Sequence, residues 1–135
     1  MGSEMCIRDS GDVILMLAEA YNENGETAKA IAEVNKIRAR VDMPGLNSGP
    51  TWMAVNSKDE MTQRIRDERA RELAGEGQRY WDLRRWGILQ STVRNATDIL
   101  GDLMYERAYQ SRHEIWPIPF VEMERNPNLT QNTDW

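Results

Sequence analysis

The sequence predicts an all-α fold: a tetratricopeptide-like helical hairpin, further helices after it, and an extended, proline-containing tail. Three observations carry this expectation. Apolar residues recur at three- and four-residue spacing in two segments, Ile14, Leu17, Ala18 and Tyr21, then Ala30, Ile31, Val34, Ile37 and Val41. Gly25 punctuates the two, and Ser57 followed three residues later by Glu60 opens a third helix. Near the end, Pro117 and Pro119 flank Ile118 and forbid helix there.

Composition bounds the rest. The chain has 135 residues, enough for one domain or part of one. A net charge of −5 leaves no basic face to neutralise phosphates, which argues against nucleic acid as a partner. The longest apolar run, 13–18, is far too short to span a bilayer. Cys6 is the single cysteine and has no internal disulfide partner. Residues 1–10 (MGSEMCIRDS) match neither helix nor turn logic and carry charges where a signal peptide has an apolar core. They read as foreign to the native chain, which is then expected to start upstream of Gly11 and to end here as a C-terminal fragment, 11–135.

The first helix is expected over 12–23, ended by Gly25. Thr27 is the expected N-cap of a second helix over 28–40. A short turn between two amphipathic helices makes an antiparallel hairpin, 12–42. Its alternation of small and large residues (Leu17, Ala18, Tyr21, Ala30, Val34, Ile37) fits one tetratricopeptide repeat. The plainer alternative is a two-helix piece of an ordinary α-domain. A single repeat cannot bury both faces, so apolar Ile14, Leu15 and Met16 are expected to face a missing neighbour. Pro44, Gly45, Gly49 and Pro50 bracket a loop that holds Trp52. An exposed Trp52 would stack on a sugar or another flat ligand; tucking back onto the helix pair is the commoner fate of such a ring.

The central motif, 57–90, concentrates carboxylates, arginines and the rings of Tyr80, Trp81 and Trp86. The capped helix runs to about residue 74, with Met61, Ile65 and Leu73 on its buried stripe. Arg69 interrupts that stripe and must be paired, because an unpaired buried charge costs several kcal/mol. Gly75 and Gly77 break the helix, and 78–87 reads as a second short one. The turn is expected to bring Glu68, Glu72 and Glu76 towards Arg79, Arg84 and Arg85 in a structural ionic network with Arg69. As a catalytic pair, Glu68 and Glu72 could act as acid and base on a glycosidic bond. Adjacent arginines would hold both ionised, which spoils the acid, so the structural reading is preferred and no catalytic residue is assigned.

The run Glu68-Arg69-Ala70-Arg71-Glu72-Leu73, followed by Glu76-Gly77-Gln78-Arg79 and Asp82-Leu83-Arg84-Arg85-Trp86-Gly87, resembles the C-terminal signature of the SusD/RagB family. Gly75 departs from the large apolar residue usual before this glutamate. The tail (112–135) repeats the resemblance in order: Pro117-Ile118-Pro119, then Asn126-Pro127-Asn128-Leu129-Thr130-Gln131-Asn132. Segment 99–105 is expected to form a short helix. His113 has no ligand cluster beside it, so no metal is expected, and no cofactor is implied.

The resemblance implies a non-catalytic, surface nutrient-binding lipoprotein of the outer membrane. It would capture an oligosaccharide and deliver it to a TonB-dependent, SusC-like transporter. Its lipid anchor would lie at a mature N-terminus outside this chain; Glu4-Met5 before Cys6 lacks a lipobox pattern. No family ligand residue is carried over, and Trp52 is the one carbohydrate candidate. The alternative is a free-standing repeat scaffold that binds proteins.

Overall fold

The computed structural model describes residues 4–97 and 109–135. The expected helix over 99–105 lies outside the described residues. The described chain is helical and divides into two compact units, one ending at Arg79 and one starting at Tyr80.

In the first unit, α1 (Glu4–Glu23) and α2 (Thr27–Arg40) form the expected hairpin. Helix α1 starts well before residue 12: 4–10 continue it without a break. Gly11 does not interrupt the helix, because its missing Cβ makes room. A methyl there would lie 2.7 Å from Glu72 Oε1. At the other end Gly25 takes φ +82°. Its N–H donates to the Asn22 carbonyl (3.1 Å), and that of Glu26 reaches back to Tyr21 (2.8 Å), a Schellman closure. Thr27 is not the cap; Glu26 is, and Thr27 is the first helical residue. The Thr27 hydroxyl instead donates to Asn22 Oδ1 (3.1 Å).

Asn22 is buried, and its Nδ2 donates to the Lys58 carbonyl (3.0 Å) and Thr62 Oγ1 (2.9 Å). This one amide ties α1 and α2 to the start of α3 (Lys58–Glu72). The third helix is capped as its sequence requires, with Ser57 Oγ accepting from the Glu60 N–H (3.1 Å). The Glu60 carboxylate reaches the Asn56 N–H (2.7 Å) rather than that of the cap residue.

Leu15, Ala18, Ala30, Val34 and Ile37 interdigitate with Met61 and Ile65 to make the core. Leu15 is therefore an inward residue, not part of an outer stripe. Among the residues of α1 whose side chains are described, Val13, Met16 and Leu17 are the exposed large apolar ones. The loop after α2 adds Leu46 and Val55 to the same core. The Asn35 amide holds it in place, accepting from the Leu46 N–H (2.7 Å) and donating to the Leu46 carbonyl (3.3 Å).

The second unit contains most of α4 (Gln78–Arg85), then α5 (Leu89–Arg94), a 3-10 turn at Ser111–Glu114 and α6 (Phe120–Arg125). Between the last two, 116–119 is extended. Prolines 117 and 119 have no N–H to donate, and the intervening Ile118 N–H is taken by Gln131 Oε1 (2.8 Å). Gln131 Nε2 donates back to the Ile118 carbonyl (2.9 Å), and Asn132 Nδ2 to that of Trp116 (2.6 Å). The two tail segments named in the sequence are thus one hydrogen-bonded clip. Trp135 closes it, its indole N–H shared between the carbonyls of Ile115 (2.8 Å) and Arg112 (3.0 Å).

Candidate functional site

Several charged residues of α3 are paired within the first unit. Arg38 is 4 % exposed and Glu68 6 %, and Arg38 Nη1 donates to Glu68 Oε2 at 2.9 Å. Arg71 reaches the same oxygen more loosely, at 3.4 Å. Arg38 also donates through Nε to the Pro44 carbonyl (2.7 Å), which fastens the loop to α2. Glu72 pairs with Arg40, and buried Arg69 with Asp12 of α1 at 2.7 Å.

The sequence places these arginines beyond the glycine turn; in the structure the partners of Glu68 and Glu72 include Arg38 and Arg40 of α2. Arg79 donates to the Arg66 carbonyl (3.3 Å), and Arg85 pairs with Asp82 at 3.0 Å. Glu76 and Arg84 are exposed and make no ion pair among the described residues, which removes them from the expected network. The cause is local: Glu76 sits in the turn between helices, and Arg84 on the solvent side of α4. The signal for Arg38 was present, since it follows Val34 by one helical turn on the buried face of α2.

Trp52 does not tuck. It is 68 % exposed, while its neighbour Met53 goes inward. The indole borders a cavity of about 150 Å³. Met43, Leu46 and Met53 provide apolar lining, and Arg38, Arg64, Arg71 and Glu68 the charges. Arg64 donates to the Trp52 carbonyl and so ties the loop to α3.

A larger cavity, about 290 Å³, lies in the second unit, lined by residues that the sequence does not single out as a site. Tyr80, Tyr109, His113, Trp116, Pro117 and Trp135 line it. The His113 ring stands edge-on to Tyr109 (centroids 5.7 Å) and tilted to Trp135 (5.9 Å). His113 Nδ1 accepts from the Gln110 N–H (3.1 Å), which gives the lone histidine a structural role. The Tyr109 hydroxyl is buried without a partner among the described residues. Burial raises its pKa above the ordinary phenol value; Glu114 and Tyr80 add to the rise, and Arg84 opposes it.

The fold therefore favours the neutral phenol. That contribution to stability is complete below the phenol's unfolded pKa and is lost as pH rises through the folded one. In an ultraviolet titration, Tyr109 should ionise above the ordinary phenol range, and Tyr109→Phe should abolish that late component. The same variant removes a buried unsatisfied group, so its unfolding free energy should stay level or rise by about 1 kcal/mol.

Neither cavity presents a metal site: among the described residues, no three His, Cys, Asp or Glu side chains converge. No helix among them is long and apolar enough to cross a membrane.

Comparison with known proteins decides the family. The model of the SusD family matches residues 5–135. The chain belongs to the SusD family. It is 36 % identical over 126 residues to the SusD-like protein P38 of Formosa agariphila, covering 92 % of this chain and 23 % of that protein. It is 30 % identical to the starch-binding protein SusD of Bacteroides thetaiotaomicron, over 92 % of this chain and 21 % of that one. The crystal structure of a SusD superfamily protein from Bacteroides vulgatus superposes with a TM-score of 0.73 at 33 % identity. That superposition covers 93 % of this chain and 26 % of the other. The chain thus spans about a quarter of the length of these SusD-family relatives, and its all-α architecture is theirs over that quarter.

Proposed function

We propose that this chain is part of a non-catalytic glycan-binding protein of the outer membrane. The protein captures oligosaccharides and passes them to a TonB-dependent, SusC-like transporter. An N-terminal lipid anchor of the longer protein holds it at the cell surface. Family membership supports the nutrient-binding role, and so does the likeness to a relative named for starch binding.

One observation of geometry carries the non-catalytic part. The two acids of α3 that a glycosidase would need free are both held by arginines, Glu68 by Arg38 and Arg71, Glu72 by Arg40. Neither is placed to hand a proton to a leaving oxygen, so contact with sugar falls to exposed rings such as Trp52.

Calorimetric titration with a panel of oligosaccharides should give saturable binding. A reducing-sugar assay on the same mixtures should stay at background. Release of reducing ends that disappears in Glu72→Gln would overturn this reading. For the transporter, the full-length protein should co-purify with a β-barrel partner from outer membranes; its recovery alone under gentle extraction would count against that part.

A further inference from the structure

The cavity beside Trp52 has a charge composition that the capture of a neutral sugar does not need. Three guanidiniums, Arg38, Arg64 and Arg71, border it against one carboxylate, Glu68, which leaves two positive charges in excess. This excess stands in a chain whose net charge is −5. The arginines also keep donors in reserve. Arg38 is buried, yet among the described residues its Nη2 meets only the Met53 sulfur, at 4.0 Å. Arg71 is mostly solvent-exposed and holds Glu68 at 3.4 Å, a loose contact that leaves its fork free to turn. Arg64 donates to the Trp52 main-chain carbonyl, which keeps its guanidinium beside the loop that carries the indole.

We propose that this cavity is a subsite for an acidic sugar, one ring of which lies on Trp52 while its anionic group enters between Arg64 and Arg71. The inference rests on the glycan-binding reading above and names the class of glycan. Size agrees with a partial rather than a complete enclosure. About 150 Å³ is below the ~300 Å³ at which whole drug-sized ligands begin to be enclosed. It suits one anionic group and the edge of its ring, with the ring face left to the exposed indole. An arginine fork matches a carboxylate or a sulfate ester through paired N–H donors, which a hydroxyl cannot reproduce. Glu68 does not repel the incoming anion strongly, since Arg38 and Arg71 already share one of its oxygens.

The test uses the 135-residue chain and three probes of equal length: an oligogalacturonide, a sulfated galactan oligomer and a neutral malto-oligosaccharide. Calorimetry should show at least one acidic probe binding roughly tenfold tighter than the neutral one, a gap that narrows as salt is raised. Arg71→Gln should remove most of that gap by weakening the acidic probe far more than the neutral one. Trp52→Ala should weaken both. Both side chains are exposed, so circular dichroism should report an unchanged fold.

Preference for the carboxylated over the sulfated probe, or the reverse, identifies the anion and supports the subsite either way. Equal affinity for acidic and neutral probes, or an Arg71→Gln variant that keeps the full gap, overturns the acidic subsite while the glycan reading stands. No binding of any probe to this chain likewise overturns the acidic subsite.

Discussion

Glu68→Ala should lower the unfolding free energy by about 3–5 kcal/mol. The reason is asymmetry. Arg38 and Glu68 are both buried and joined at 2.9 Å. Removing the carboxylate leaves the Arg38 cation inside the first unit with a carbonyl and a thioether as its remaining partners. Arg71 is indifferent, because it already faces water. Urea unfolding followed by far-ultraviolet circular dichroism measures the loss. The double variant Arg38→Met/Glu68→Leu should recover most of it, since apolar replacements of similar volume need no pairing. A loss under about 1 kcal/mol for Glu68→Ala would show that water reaches the pair, which is the ordinary behaviour of surface ion pairs.

Leu15→Ala should cost about 2–5 kcal/mol, and Leu17→Ala about 0.5 kcal/mol or less. Leu15 is 0 % exposed and sits where α1, α2 and α3 meet, whereas Leu17 is 40 % exposed. Truncating the first leaves a cavity that the close-packed small residues Ala18 and Ala30 cannot collapse to fill. For a chain of this size the first change should shift the melting midpoint by roughly 5–20 °C. Equal losses at the two positions would mean that α1 is rotated from the orientation described. That outcome would restore the outward stripe expected from the sequence.

The contrast between these two positions shows where sequence reading succeeds in this protein. Periodicity located both helices of the hairpin, because the interval between apolar residues is a local property of the chain. It could not choose the inward face of α1, where Val13 to Ala18 are apolar nearly all round. That choice depends on what α3 brings to the contact, some fifty residues away. The ion pairs failed for the same reason. Glu68 and Arg38 are 30 residues apart, and Arg69 and Asp12 are 57 apart, so neither pairing follows from neighbours along the chain. The nearer arginines beyond Gly77 looked the more natural partners. By contrast, the Ser57 cap and the proline-flanked tail were legible because their chemistry is short-range or stereochemical.

Candidate ligand positions divide in the same way. Trp52 was visible as a lone ring in a loop, but its arginine neighbours come from α2 and α3, and nothing in the loop announces them. Trp116 and Trp135 were read as parts of a tail; that they converge with Tyr109 and His113 on one cavity needs the chain reversal that Gln131 enforces.

That reversal has an effect on how the molecule meets copies of itself. An extended segment with free amides and carbonyls is a template onto which a foreign strand can zip. From Trp116 to Ile118 the chain is extended, yet it has almost nothing to offer such a strand. Pro117 has no amide hydrogen, the carboxamide of Gln131 blocks both backbone groups of Ile118, and Asn132 occupies the Trp116 carbonyl. The clip therefore works as a blunted edge: along 116–118 little backbone is left for a foreign strand to pair with, although exposed rings such as Trp116 and Phe120 flank it.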